Sequence, residues 1–475
     1  MSRSAHLYHS PLVLFPTFTF FVFFVTVWGV FWLLPARREK HVWLLAASAI
    51  FYAFWSPWFL GLIFVSTSID YAVALRLPSA PKTRRRALLL LSVGVNLGIL
   101  ASFKYAGFAV ESAVALANAV GLDVPAATLE TFLPLGISFY TFEAICYVVD
   151  VYRGRQEPVR RPLDYALYIL FFPHLVAGPI VRPHEFLPQL ARDRCPSWSR
   201  FVLGLRLFLM GLFKKAVIAD HLAAIVDPVF ASPDRYDTAT LWLAVLGYSV
   251  QIYCDFSGYT DMAVGIAHTF SFKLPANFDT PYLASNIADF WRRWHMTLSR
   301  WLRDYVYVPL GGGRGSSLVV ARSLVVTMFL GGLWHGAAWH FVVWGLYHGA
   351  LLALHRLVER TGVRVPAPLG VVATFLSVSL GWVLFRCATL TVAMEMLARL
   401  VVPHPGLTLP PAALVGLAVI LAFVALCHAV YRTVDLEALA RRLPAPALGA
   451  ALAATLLLVQ LLMPATGQPF IYFQF

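Results

Sequence analysis

Charge is what this 475-residue sequence has least of: only 13% of it is Asp, Glu, Lys or Arg, against 59% hydrophobic and 15% aromatic residues. A soluble domain carries about 25% charged and about 45–50% apolar residues. The composition therefore excludes a soluble globular protein and requires a bilayer as solvent for much of the chain. Counting domains by length does not apply, and a single integral-membrane domain is expected over residues 1–475. Cysteine is scarce as well. Cys146, Cys195, Cys254, Cys387 and Cys427 form no CxxC pair, and all but Cys195 lie in apolar surroundings, which argues against a metal or disulfide framework. Cys254 reads as a small buried hydrophobe rather than an acyl carrier. There is no Walker A loop, no GxSxG elbow and no HExxH pair.

The charge that is present is lopsided, with 37 Lys and Arg, 24 Asp and Glu, and a formal net charge of +13. The basic residues fall largely in short links between apolar runs, the pattern of cytoplasmic loops beside anionic lipid rather than of a nucleic-acid surface. Leu12–Leu34 runs without charge into Arg37, Arg38 and Lys40; it is too long for a signal h-region and is expected to remain as the first membrane helix. Segments 42–57 and 59–76 form a hairpin returning to Lys82, Arg84, Arg85 and Arg86. Segment 87–106 leads to a link, 107–130, that holds Glu111, Asp123 and Glu130 without a basic residue and is placed outside. Segment 131–150 crosses back to Arg153, Arg155, Arg160 and Arg161.

Further on, segment 164–180 is broken by Pro173, Gly178 and Pro179, with Pro183 following; backbone groups opened by such breaks are expected to line a cavity. Helices are expected over 200–219, 239–258, 317–334, 336–355, 367–386, 412–431 and 446–463. The link 401–411 reads as outside, and Arg432, Arg441 and Arg442 as inside. The expected fold is all-α and polytopic, with roughly eleven to thirteen transmembrane helices. Phe272–Gly313, rich in Arg, Trp, Tyr and Asn, suits short re-entrant helices buried in protein.

The stretch Pro275–His355 concentrates the chemistry. His335, in GGLWHGAAW, is an ionisable group inside a hydrophobic run, which by itself marks a functional candidate. Gly331, Gly332 and Gly336 are expected to leave room for a substrate beside it, with Trp334 and Trp339 as flat apolar walls. Neutral imidazole accepts a proton from a hydroxyl near neutral pH, so His335 suits a general base. The residues alone leave open a helix-packing histidine instead. His295 sits in FWRRWHMTLSRWLRDY, with Ser299 one turn along the same face and Arg292, Arg293, Arg300 and Arg303 around it. Arginines at that density suit either the phosphates of a coenzyme A or phosphopantetheine donor, or lipid headgroups. Asp304 is expected to pair with Arg300 or Arg303. Asp255 and Asp261 either orient a histidine or pair with a buried cation; Glu143 and Asp150 read as structural. His174 and His184 border the broken segment, and a role for them in lining its cavity is a weak signal. His340, His348 and His355 share the His335 region, but no carboxylate-rich cluster supports a metal site among them.

FWRRWHMTLSRWLRDYVYVPLGG and LGGLWHGAAWHFVVWGLYHG resemble the membrane-bound O-acyltransferase family, and within it the alginate O-acetyltransferase branch. FLPLGISFYTFEAICYVVDVYRG at 132–154, LVAGPIVRPHEFLPQL at 175–190, YSVQIYCDFSGYTDMAVGIA at 248–267 and the terminal FIYFQF agree with that branch. The RRWH and WHG elements are similar to those of teichoic-acid D-alanyl transferases as well. The resemblance implies a multi-helix fold around a central tunnel, with the catalytic core at about residues 130–356. It implies that His335 is the catalytic histidine and His295 the second polar position, with Arg292, Arg293, Trp334, Ser299 and Asp255 as candidate donor- or substrate-binding residues. It further implies an acyl-CoA or acyl-carrier donor such as acetyl-CoA, no bound cofactor or metal, and no nucleic-acid partner. The expected partners are membrane lipid, a periplasmic SGNH-hydrolase-like acetyltransferase and an exported polysaccharide, at a bacterial cytoplasmic (inner) membrane. A lipid or teichoic-acid O-acyltransferase and a polytopic transporter are the rival readings. A transporter predicts two similarly broken halves, and no internal repeat stands out.

Overall fold

Long apolar runs become helices because lipid, or a dry interior, offers backbone amides no partner other than each other. A computed structural model describes residues 15–126, 129, 133–176, 178–464 and 467–471. Leu12–Leu14 of the first expected segment, Glu130 of the outer link, Phe132 and Ala177 of two motifs, and Tyr472–Phe475 of the terminal motif lie outside the described residues. In chain order the α-helices are α1 Phe18–Leu33, α2 Arg37–Ala53, α3 Pro57–Arg76, α4 Lys82–Lys104, α5 Ala106–Ala119, α6 Ile137–Tyr152, α7 Pro162–Leu170, α8 Phe172–Leu175, α9 Pro183–Leu190 and α10 Trp198–Leu212. A π-helical stretch, Phe213–Ala219, joins α10 to α11 Asp220–Ala231. There follow α12 Thr238–Thr269, α13 Ile287–Arg293, α14 Met296–Leu302, α15 Ser317–His335, α16 Trp339–Thr361, α17 Ala367–Arg386, α18 Leu390–Val401, α19 Pro411–Thr433, α20 Leu436–Arg442 and α21 Ala445–Leu462.

Among the described residues, seven helices are long and apolar enough to cross a bilayer on their own: α3, α4, α15, α16, α17, α19 and α21. The sequence count was higher because it included segments that fold as shorter or more polar helices; α1 and α5 are apolar but span only 16 and 14 residues. Residues 107–119 of the link expected outside fall in α5, since an Ala-rich run has good helix propensity whatever its topology. The segment expected at 239–258 continues eleven residues further, to Thr269, and α18 was not foreseen.

Contacts divide the chain into two compact units, one of residues 1–208 and 262–275, the other of residues 209–261 and 276–475. In the first, Asp70 of α3 is buried and accepts hydrogen bonds from Ser92 Oγ at 2.5 Å and Asn96 Nδ2 at 2.9 Å, both on α4. The proline-broken segment is packed rather than open. Its residues Phe172, Pro173, His174 and Leu175 are buried, Val181 N–H donates to Glu143 Oε1 at 2.9 Å, and His174 Nε2 lies 3.4 Å from Glu143 Oε2. Phe172 N–H donates to Ser48 Oγ of α2 at 3.1 Å and the Val181 carbonyl accepts from Tyr168 OH at 2.8 Å, so the segment is tied to packed neighbours, which corrects the expected cavity there; His184 is exposed. An apolar recess of about 470 Å³ in this unit is lined by α1 and α2 residues such as Phe18, Val22, Phe23 and Trp43, with Phe54 just after α2.

In the second unit α15 and α16 form a tight hairpin joined by Gly336–Ala338. A Cβ on Gly332 would collide with the Phe341 carbonyl oxygen, and one on Gly336 with the Phe341 ring. These glycines are filled against, not left open: they bring α16 onto α15, where small residues allow backbones to approach closely. The room expected beside His335 is taken by Phe341. Gly332→Ala should therefore overpack the hairpin and cost about 1–3 kcal/mol, read as a lowered melting temperature in detergent; an unshifted melt would contradict the packing described.

Candidate active site

The second unit holds both candidate histidines, and a break in the chain positions the first. Asn286 caps α13, its Oδ1 accepting from Asp289 N–H at 2.8 Å. The helix ends after Arg293 because His295 adopts φ 42° and ψ 53°, the left-handed region that costs a non-glycine residue about 1–2 kcal/mol. Such a conformation persists only where the surroundings hold it. Asn277 does this: its backbone carbonyl accepts from Met296 N–H at 2.9 Å, and its side-chain Oδ1 accepts from Thr297 N–H at 3.2 Å and Thr297 Oγ1 at 2.9 Å. His295 is consequently the cap of α14 and not part of a helical face shared with Ser299. Ser299 Oγ donates to the Trp294 carbonyl at 3.2 Å and so ties the turn.

The same asparagine fixes the imidazole. A backbone N–H donates only to an oxygen, so the bond from Thr297 sets which end of the Asn277 amide is Oδ1. His295 Nδ1 lies 3.1 Å from that oxygen and must carry the proton, leaving the lone pair on Nε2. The ring is fully buried, with the Phe256 ring 4.7 Å away edge-on and the Trp334 ring 5.7 Å away. Burial pushes its pKa down to about 3, so it is neutral at physiological pH.

His335 ends α15 and is 4% exposed. Its ring is caged by Trp334 at 5.0 Å, Trp344 of α16 at 5.0 Å and Phe385 of α17 at 5.1 Å, all three edge-on. Trp334 thus stands in contact with both imidazoles. Trp339, expected as a second wall, is 56% exposed. Asn277, Trp344 and Phe385 were missed as site residues. Asn277 and Trp344 lie within the stretch singled out from the sequence, but an Asn 18 residues before its histidine carries no local signal, and Phe385 lies on α17, outside that stretch.

The remaining candidates are not gathered around the imidazoles. The Arg292 side chain is 69% exposed and lies 3.7 Å from Asp289, while Arg293 pairs with Asp289 at 3.0 Å and Asp279 at 3.9 Å. A phosphate bound there competes with those carboxylates. Asp255 Oδ1 lies 2.6 Å from Lys215 Nζ and its Oδ2 accepts from Ile471 N–H at 2.8 Å, so both oxygens serve a buried structural cluster that also contains Asp220, 2.7 Å from Lys215. Asp261 pairs with Lys214 at 2.7 Å, and Asp304 with Arg303 at 2.7 Å. His340 Nδ1 donates to the Leu384 carbonyl at 2.9 Å, and His355 lies 3.3 Å from Glu359. Among the described residues no group of three or more His, Cys, Asp or Glu side chains is placed to hold a metal.

Residues 156–366, which contain both histidines, match the family described as MBOAT, membrane-bound O-acyltransferase. Over 383 residues the chain is 43% identical to a protein of Azotobacter vinelandii named "Probable alginate O-acetylase", covering 80% of this chain and 76% of that one. It is 40% identical to the peptidoglycan O-acetyltransferase of Helicobacter pylori, covering 76% and 73% of the two chains. A teichoic acid D-alanyltransferase of Bacillus subtilis is 30% identical over 48% of this chain and 60% of its own.

Two outcomes follow from the His295 geometry. Asn277→Ala strips the imidazole N–H and Thr297 N–H of their acceptor and should cost about 1–3 kcal/mol for the orphaned donors, read by thermal unfolding. The unfolded chain takes up a proton on His295 near pH 6.5 and the folded one only near 3. This contribution to stability is therefore complete above pH 6.5 and lost on acidification, at up to about 1.4 kcal/mol per pH unit. His295→Gln should flatten the acid limb of melting temperature against pH; an unchanged limb would show that the ring charges in the fold.

Proposed function

The chain belongs to the membrane-bound O-acyltransferase family, and from that premise we propose that it moves an acetyl group from a cytoplasmic thioester toward hydroxyls of an exported polysaccharide. The activity class follows from the family: the protein is an integral-membrane O-acyltransferase. Acetyl as the group and polysaccharide as the acceptor are supported by relatives named for alginate and peptidoglycan O-acetylation. The observation that carries the reading is the pair of buried imidazoles in contact with one indole, Trp334.

In this mechanism His335 takes the proton of the acceptor hydroxyl as its oxygen bonds to the acyl carbon. The carbon–sulfur bond breaks, and the thiolate leaves with the proton that His335 returns. The products are one ester and one thiol. His295, with Nδ1–H held by Asn277, presents Nε2 as an acceptor and orients a hydroxyl. Trp334 sets the spacing of the two rings. The donor is a thioester such as acetyl-CoA, used as co-substrate. A periplasmic acetyltransferase of the SGNH-hydrolase type carries the group onward, and the site of action is the bacterial inner membrane.

His335→Ala should keep expression, membrane insertion and melting temperature while lowering acetyl transfer by about 10²–10⁴-fold, the usual worth of a general base. Radiolabelled acetyl-CoA and the exported polymer provide the readout. Wild-type transfer by a folded His335→Ala protein would remove the base.

A further inference from the structure

His348 is a fully buried histidine that the reaction above does not use. It lies on α16, four residues after Trp344, and its ring is 4.8 Å from Trp344 and 5.2 Å from Trp291 of α13, with those two indoles 5.8 Å apart. Neither ring nitrogen of His348 has a hydrogen-bond partner among the described residues, and the buried Nε1–H groups of Trp344 and Trp291 have none there either. Buried polar atoms are almost always satisfied, so a cluster of such atoms marks a place where something else supplies the partner. On the opposite side α17 passes at Gly381, where a Cβ would come within 2.8 Å of His348 Nε2; only the absent side chain admits the ring.

The chemistry of the cluster is one-sided. Two indole N–H groups donate only, and a neutral imidazole adds one donor and one acceptor. No cationic or anionic side chain belongs to the set. It therefore fits an uncharged oxygen acceptor and does not fit a phosphate or a metal ion. The cluster lies one indole away from the proposed base: Trp344 is in edge contact with His335 on one side and with His348 on the other.

We propose that His348, Trp344 and Trp291 form a binding site for a neutral carbonyl oxygen of the thioester donor, adjacent to His335. The inference rests on the acyltransferase reading. The oxygen belongs either to the acyl group being transferred or to an amide of the donor arm, and kinetics separate these. N–H groups fixed in a water-poor site stabilise charge that develops on an acyl oxygen, so their loss would lower kcat. Loss of a contact to an arm amide would instead raise KM for the thioester.

The test uses the full-length protein in detergent or vesicles, with acetyl-CoA as donor. His348→Phe keeps an aromatic ring and removes both nitrogens. The expected result is a drop of about tenfold or more in kcat/KM with a melting temperature equal to or above that of the wild type, because unsatisfied polar atoms have been replaced by carbon. Unchanged kinetics would overturn the proposal, and so would a fall in activity accompanied by a lowered melting temperature, the mark of a structural role. Should His348→Phe not fold, Trp291→Phe decides on the same criteria: loss of activity with the fold kept supports the site, and wild-type kinetics overturn it. If the wild-type protein itself transfers no acetyl group, the parent reading fails first, and that result is distinct from either outcome for the variants.

Discussion

A neutral imidazole in a dry interior is stabilised when its N–H finds an acceptor, and the turn that carries His295 in the second unit is built on that interaction. One amide, Asn277, meets it for His295, and the same amide holds the left-handed turn that puts the ring there. Backbone strain, tautomer and helix start are therefore one structural fact. Remove the amide and the turn loses its reason, the proton its place, and α14 its first hydrogen bonds. His335 is held differently. Its ring is wedged by two tryptophans and a phenylalanine contributed by α15, α16 and α17. Trp334 touches both imidazoles and joins the two.

How much of this was legible beforehand depended on the length scale of each signal. The hairpin of α15 and α16 was visible because two apolar runs meet at a glycine, and α17 was found over the residues expected because its flanks are Pro366 and Arg386. His335 and His295 stood out as ionisable groups in apolar or aromatic company. What the glycines beside His335 do could not be read locally: small residues signal close approach, but whether by a substrate or a neighbouring helix is decided by Phe341, on the next helix. Asp255 was weighed between two roles, and only the chain fold brings Lys215 and Ile471 to it. For the arginines of RRWH, Asp289 at i−3 and i−4 was legible as a partner, whereas Asp279 beside Arg293 is brought there only by the fold.

The partnership of Lys214 and Lys215 bears on how the protein enters its membrane. Both lysines sit in the π-helical stretch after α10, and their carboxylate partners Asp255 and Asp261 belong to α12. Neither α10 nor α12 is among the helices apolar enough to cross lipid alone. An unneutralised lysine or aspartate at the centre of a bilayer costs about 2.5–3.5 kcal/mol on insertion scales. Lys215 has a counter-ion five residues on in Asp220, at 2.7 Å, whereas Lys214 meets Asp261 of α12, so the charges of the earlier segment are fully balanced only with the later one beside it.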